Sequence, residues 1–283
     1  MKKIAFVCDS GTGRDVATLK AEGIYSLPLQ VASSVENYEE LEDISIDEIY
    51  RKIAEGELLK TSLPMLGKID ELFADLKAKG YEGIFAVPIC IGLSGTMNAL
   101  RLAAQQNDLE FIGVDTCVTA EVEYYCISEA KKMYDAGIDL DTIQTKLKRV
   151  IDSATTLLIP VDLNHLKRGG RLTPLAATLA GLLKIKPIMK IDTTTNGKID
   201  VAAKVRTLNK AMDQAIEILD EHGVDAEYRM FVAYVGEKEN CEVMMEKLKA
   251  HYNGINISLI KLISCVGVHT GIGCVAIQAY KEL

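Results

Sequence analysis

At 283 residues, with 48% apolar and 25% charged side chains, the chain has the length of two domains and the composition of a protein with a sizeable core. Forty acidic against 32 basic residues give a net charge of −8, and no Lys/Arg block exceeds a pair. That excludes the basic stripe a nucleic-acid partner requires, and no apolar run approaches the ~18 residues of a membrane span.

The opening MKKIAFVCDSGTG carries too short an apolar run for a signal-peptide core and reads as a first strand over 4–7. Further strands are expected over 25–31, 84–89 and 111–114, separated by helices over 46–54, 66–79, 96–106 and 120–136. This alternation predicts an α/β fold whose first half is a mainly parallel sheet covered by helices. A helix over 140–153 leads to a strand over 156–161, and the domain boundary is placed there, giving units 1–155 and 156–283 that pack without a flexible linker.

The second half predicts a mixed sheet. A short helix over 162–168 closes at Gly169-Gly170, and another opens at Thr173-Pro174. Strands over 185–191 and 198–203 flank Asn196-Gly197, a hairpin signal. A helix over 208–222, a strand over 230–235, a helix over 239–250 and two closing strands complete the chain. The seven cysteines are odd in number, contain no C-x-x-C and sit in apolar runs, as free thiols in a reducing cytoplasm do. The four histidines are isolated, so no metal site is expected.

Three segments place hydroxyls or glycines where a helix or turn opens. Thr61-Ser62-Leu63-Pro64 precedes the helix over 66–79 and also suits a plain N-terminal cap. Gly92-Leu93-Ser94-Gly95-Thr96 follows a strand at the carboxyl edge of the parallel sheet, where ligands bind, and its amides and helix dipole favour an anion. His269-Thr270-Gly271-Ile272-Gly273 is expected in a turn between two apolar strands. Lys167-Arg168-Gly169-Gly170-Arg171 concentrates positive charge in an acidic chain, and the residues over 175–183 read as a buried helix or an apolar wall for a slender ligand. Gly11-Thr12-Gly13 is not a dinucleotide fingerprint, because Val16 stands where the third small residue is needed. The order Ser94, Asp162 or Asp192, His269 matches a hydrolase triad, yet Thr96 replaces the last glycine of G-x-S-x-G.

These segments, in this order, resemble the DegV family of fatty-acid-binding proteins that serve bacterial fatty acid kinase. The resemblance runs from Asp9-Ser10 and 44–50 through Lys60-Thr61-Ser62-x-Pro64 and Leu93-Ser94-Gly95-Thr96. It continues through 167–171, Ile185-Lys186-Pro187-Ile188 and His269-Thr270-Gly271-x-Gly273. It implies two α/β domains with one long-chain fatty acid, such as palmitate, between them, and a non-catalytic lipid carrier without cofactor. That carrier would present the carboxylate to a separate kinase subunit in the cytoplasm, for acyl-phosphate formation. Thr61 and Ser94 would hold the carboxylate, with Ser62, Gly95, Thr96 and His269 beside them, and Arg171 would serve kinase engagement or a phosphate. Burying about fourteen methylenes at ~0.8 kcal/mol each supplies on the order of 11 kcal/mol before ordering costs. Leu63 and Met65 depart from the family's T-S-Q-P-S, and Glu121-Val122-Glu123 stands where the family carries small residues. The alternative is an enzyme, such as a serine hydrolase, using Ser94 and His269.

Overall fold

Four short parallel strands form the first sheet, in the order Ile24–Leu27, Ile4–Asp9, Gly83–Ala86, Glu110–Gly113. The computed structural model describes residues 2–178 and 185–283. Strand Ile4–Asp9 is buried along its whole length, as a central parallel strand covered on both faces must be. The expected strand over 25–31 is instead two strands. Pro28 lacks an amide hydrogen, so the chain leaves the first sheet after Leu27 and re-pairs as Gln30–Ala32. Gln30–Ala32 is the centre of a small antiparallel sheet between Asn37–Glu39 and Lys60–Ser62. Pro88 likewise ends the strand expected over 84–89 at Ala86.

The second sheet has six strands and is mixed. Its order is Asp200–Val205, Lys186–Asp192, Thr155–Ile159, Val275–Lys281, Tyr228–Tyr234, Asn256–Lys261, and only the last pair is parallel. Asn196 and Gly197 both take positive φ (52° and 70°) in the hairpin, the conformation for which an Asn-Gly pair is suited.

Helices Glu121–Asp135 and Leu140–Ser153 lie between the two sheets, the first against Ile4–Asp9 and the second against Val275–Lys281. Helices Leu66–Ala78 and Thr96–Gln106 cover the outer face of the first sheet, and Leu208–Glu221 and Glu239–His251 that of the second. The central core joins Phe6 and Phe85 to Leu158, Met189 and Ala276, so side chains from both sheets share one apolar layer. Each large side chain buried there stabilises the fold by about 1.5–3 kcal/mol.

Two expectations fail locally. Thr61 and Ser62 do not cap the following helix: their backbone pairs with Gln30 and Val31, and helix Leu66–Ala78 starts after Met65 with no side-chain cap. His269 does not lie in a turn between strands. Ser264–Thr270 forms a helix, and Gly271 and Gly273 (φ 82° and 79°) turn the chain into Val275–Lys281.

Candidate functional site

A cavity of about 690 Å³ opens where the small sheet, the turn over 91–95, the segment over 170–174 and helix Ser264–Thr270 meet. Thr61 sits at the centre of strand Lys60–Ser62, and its hydroxyl lies 2.6 Å from Nε2 of His269. His269 comes from the last turn of its helix. Gly169 admits the ring, because a Cβ there would stand 2.7 Å from His269 Nδ1. The adjoining His165 is tied through Nε2 to the carbonyl of Val268 at 2.8 Å. Burial, then the positive Arg171 and the neighbouring His165, push the pKa of His269 down to about 3. The ring is therefore neutral at physiological pH and does not supply a counter-charge.

Ser94 arrives on the turn that precedes helix Thr96–Gln106. Its Oγ shares a hydrogen bond with Thr96 Oγ1 at 2.9 Å and accepts from the Thr96 amide at 3.3 Å. Thr96 is fully buried and does not reach the cavity, so it orients Ser94 from below. Gly95 caps the helix without a side-chain bond and lines the cavity, which leaves the positive end of an 11-residue helix facing it. Gly92 pins this turn to the second sheet, since a Cβ there would stand 2.2 Å from the Gly197 carbonyl.

Arg171 lines the same cavity. Its Nη1 donates to the Gly169 carbonyl at 2.6 Å, burial lowers its pKa, and no carboxylate among the described residues pairs with it. A half-buried guanidinium remains a cation, so it brings a positive charge to the cavity, whose lining also includes Lys198. Leu29, Ile89, Leu172, Ile199 and Val266 supply an apolar wall. The site thus combines hydroxyls, a neutral imidazole, a helix N-terminus and a guanidinium with aliphatic surface, a set matched to an amphiphilic anion.

The structure therefore brings Thr61, Ser62, Ser94, Gly95, His269 and Arg171 to one cavity and leaves Thr96 beneath it. Arg171, expected to serve contact with a kinase, stands in the cavity wall. Of the apolar stretch over 175–183, Leu175 is exposed and Ala176 buried, while 179–183 lies outside the described residues. Sequence reasoning missed Leu172, Ile199 and Val266, which meet only through tertiary structure. A bridge between Leu172 and Ile199 and the bond from the Thr173 amide to the Ile199 carbonyl (2.9 Å) bring the first two together.

A hydrolase triad does not assemble. His269 pairs with Thr61 and Ser94 with Thr96. Asp162 caps its own helix through the Asn164 amide, and Asp192 is held by Thr194 and Lys190. Among the described residues no group of His, Cys, Asp and Glu is placed to hold a metal ion, and no helix is long and apolar enough to cross a membrane.

A family model described as "Uncharacterised protein, DegV family" matches residues 3–282. A DegV domain-containing protein of Streptococcus pneumoniae is 32% identical over 277 residues, covering 97% of this chain and 98% of its own. Among solved structures, a fatty acid binding DegV family protein from Streptococcus agalactiae superposes with a TM-score of 0.87 at 28% identity, covering 100% of both chains. DegV, a fatty acid binding protein from Bacillus subtilis, superposes with a TM-score of 0.84 at 26% identity, again covering 100% of both.

Proposed function

Because the chain belongs to the DegV family, we propose that it binds one long-chain fatty acid in the cavity described above and presents the carboxylate to a separate fatty acid kinase. In this reading it is a non-catalytic, cytoplasmic lipid carrier without a cofactor, and it divides into units 1–155 and 156–283 with the ligand between them. The observation that carries the reading is the Thr61–His269 pair facing a cavity with the Arg171 guanidinium and an aliphatic wall.

Proton placement follows from hydrogen-bond capacity. A threonine hydroxyl has one proton, so Thr61 donates to a carboxylate only while it accepts from Nε2–H of His269. Ligand binding therefore selects the Nε2–H tautomer and turns the hydroxyl into the cavity. Ser94, its second hydroxyl bond supplied by Thr96, donates to the same carboxylate beside the N-terminus of helix Thr96–Gln106. Ser62 and Gly95 line that end. Arg171 neutralises the head group and serves the phosphate that the kinase brings, a role suited to a planar, permanently charged fork.

Denaturing mass spectrometry of organic extracts tests the reading. About one non-covalent acyl chain per protein is expected. Folded protein that carries none and cannot be loaded would overturn it, and a covalent adduct on Ser94 would favour the hydrolase.

A further inference from the structure

Asp9, Glu40 and Glu123 are each fully buried, and their carboxyl groups lie behind the cavity wall rather than in it. Asp9 Oδ1 accepts from the Gly11 amide at 2.8 Å and Oδ2 from the Ile89 amide at 3.1 Å. Glu123 Oε2 faces Asp9 Oδ1 across Gly11 and accepts from Thr119 Oγ1 at 3.0 Å. Gly11 makes room for this contact, since a Cβ there would stand 2.5 Å from Glu123 Oε2 and 2.7 Å from Asp9 Oδ1. Glu40 accepts from Ser10 Oγ at 2.6 Å, from the Cys265 amide at 2.6 Å and from Ser264 Oγ. Ser10 Oγ in turn accepts from the Leu29 amide at 2.9 Å. Leu29, Ile89 and Cys265, which these acids hold, all line the cavity.

Oε1 of Glu123 has no donor among the described residues, although it is completely buried. Two carboxyl groups in contact satisfy each other only when one carries a proton, and burial opposes two negative charges there. The titratable groups facing the pair are Cys8 on its own strand, Cys265 on helix Ser264–Thr270, Cys90 in the segment after Ala86 and Cys126 on helix Glu121–Asp135. Glu22 faces Cys8, and Tyr50 faces Glu40 from helix Ile46–Ala54. Burial pushes these thiols and the Tyr50 phenol up, so they stay uncharged near neutrality. Arg14 is committed to Glu121 at 2.9 Å and does not neutralise the pair.

We propose that Asp9 and Glu123 share one exchangeable proton and that this proton positions the cavity wall. While it is present, Asp9 holds Ile89 and Glu40 holds Cys265 and, through Ser10, Leu29. Loss of the proton leaves Asp9 and Glu123 as adjoining buried anions beside Glu40, and their repulsion loosens those attachments. Burial holds Asp9 up to about 7, and burial together with the Asp9 charge holds Glu123 well above its ordinary value, so Asp9 ionises first and the proton then shared is lost only as pH rises further above neutrality. His269, held near 3, does not titrate in that window.

The wall statement is independent of any ligand. Its consequence for affinity rests on the fatty-acid reading. In ligand-free protein, infrared spectra should contain a protonated-carboxyl band that persists above about pH 7 and is lost only as pH rises further, and Glu123→Gln should lack that persistent band. Amide exchange at Ile89 and Cys265, corrected for intrinsic rate, should lose at least about fivefold in protection over the same range and stay level in Glu123→Gln. Palmitate affinity in loaded protein should fall with the same midpoint. A wild-type band that does not titrate overturns the proposal without recourse to a variant. So does an unchanged pH profile of exchange in Glu123→Gln. Titrating exchange in protein that takes up no fatty acid would instead sink the carrier reading and leave the shared proton standing.

Discussion

Replacing Thr61 by Val removes one hydroxyl from the head-group end and leaves the shape of the strand almost unchanged. Thr61 Oγ1 is 2.6 Å from His269 Nε2 and belongs to the cavity lining, so the substitution deletes the proton that a bound carboxylate would receive. A hydrogen bond to a charged group contributes about 1.5–3 kcal/mol, which corresponds to a loss of affinity of about 10- to 150-fold. Valine keeps the apolar contact area, so the tail contribution stays in place. The assay is displacement of a fluorescent fatty acid from delipidated protein, with palmitate and methyl palmitate measured on wild type, Thr61→Val, Ser94→Ala and the double variant. For the ester the Thr61→Val penalty should shrink to about fivefold or less, because a neutral hydrogen bond contributes only about 1 kcal/mol. The double variant should lose less for palmitate than the sum of the single losses, since both hydroxyls serve one charge. Equal affinity of Thr61→Val and wild type for palmitate, or equal penalties for acid and ester, would refute the placement of the carboxylate.

Arg171→Ala should impair turnover by a cognate kinase more than it weakens palmitate binding, as kinase assays at saturating lipid-loaded protein would measure; a loss confined to binding would assign Arg171 to the ground-state head group alone. Gly92→Ala forces a Cβ to within 2.2 Å of the Gly197 carbonyl and should cost about 1–3 kcal/mol in chemical unfolding while weakening palmitate binding. Gly67→Ala, where a Cβ meets nothing within 4 Å on helix Leu66–Ala78, should be neutral or stabilising by up to about 1 kcal/mol. The raised pKa of Asp9, about 7 against 3.8, gives stability that is present at low pH and lost as pH rises through about 7. Unfolding free energy should therefore fall by about 2 kcal/mol from about pH 5.5 to about pH 8.5, and Asp9→Asn should flatten that slope.

Local pattern carried much of the fold. The alternation of short apolar runs with helical periodicity specified the parallel sheet, and Asn196-Gly197 specified the hairpin whose two positive φ angles the structure contains. The failures sit at prolines and at tertiary pairing. A strand-like stretch over 25–31, apolar except at Ser26 and Gln30, conceals the switch of sheets at Pro28, and nothing near Thr61 announces that Gln30–Ala32 will pair with it across some thirty residues. Of the candidate site, Thr61, Ser94, His269 and Arg171 were legible because hydroxyls, glycines and clustered charge stand out from their surroundings. Thr96 was misjudged because sequence spacing does not separate a hydroxyl that reaches a cavity from one that steadies its neighbour. Leu172, Ile199 and Val266 were invisible, since aliphatic residues lining a cavity have the same signature as aliphatic residues in a core. Asp9 and Glu123 were visible as residues but not as a pair, because their contact depends on Gly11 admitting a carboxyl from a helix more than a hundred residues downstream.

The central claim is that a fatty acid carboxylate lies against Thr61, Ser94 and Arg171, and carbon-13 NMR of protein loaded with palmitate labelled at the carboxyl tests it most directly. Hydroxyl donors, a helix N-terminus and a guanidinium all favour the charged form. The account predicts one bound carboxyl resonance at the ionised position, resisting protonation well below the ordinary carboxylic acid range, and shifting upfield or losing that resistance in Thr61→Val and Ser94→Ala. A carboxyl that titrates as it does in free solution, or that ignores both substitutions, would contradict it.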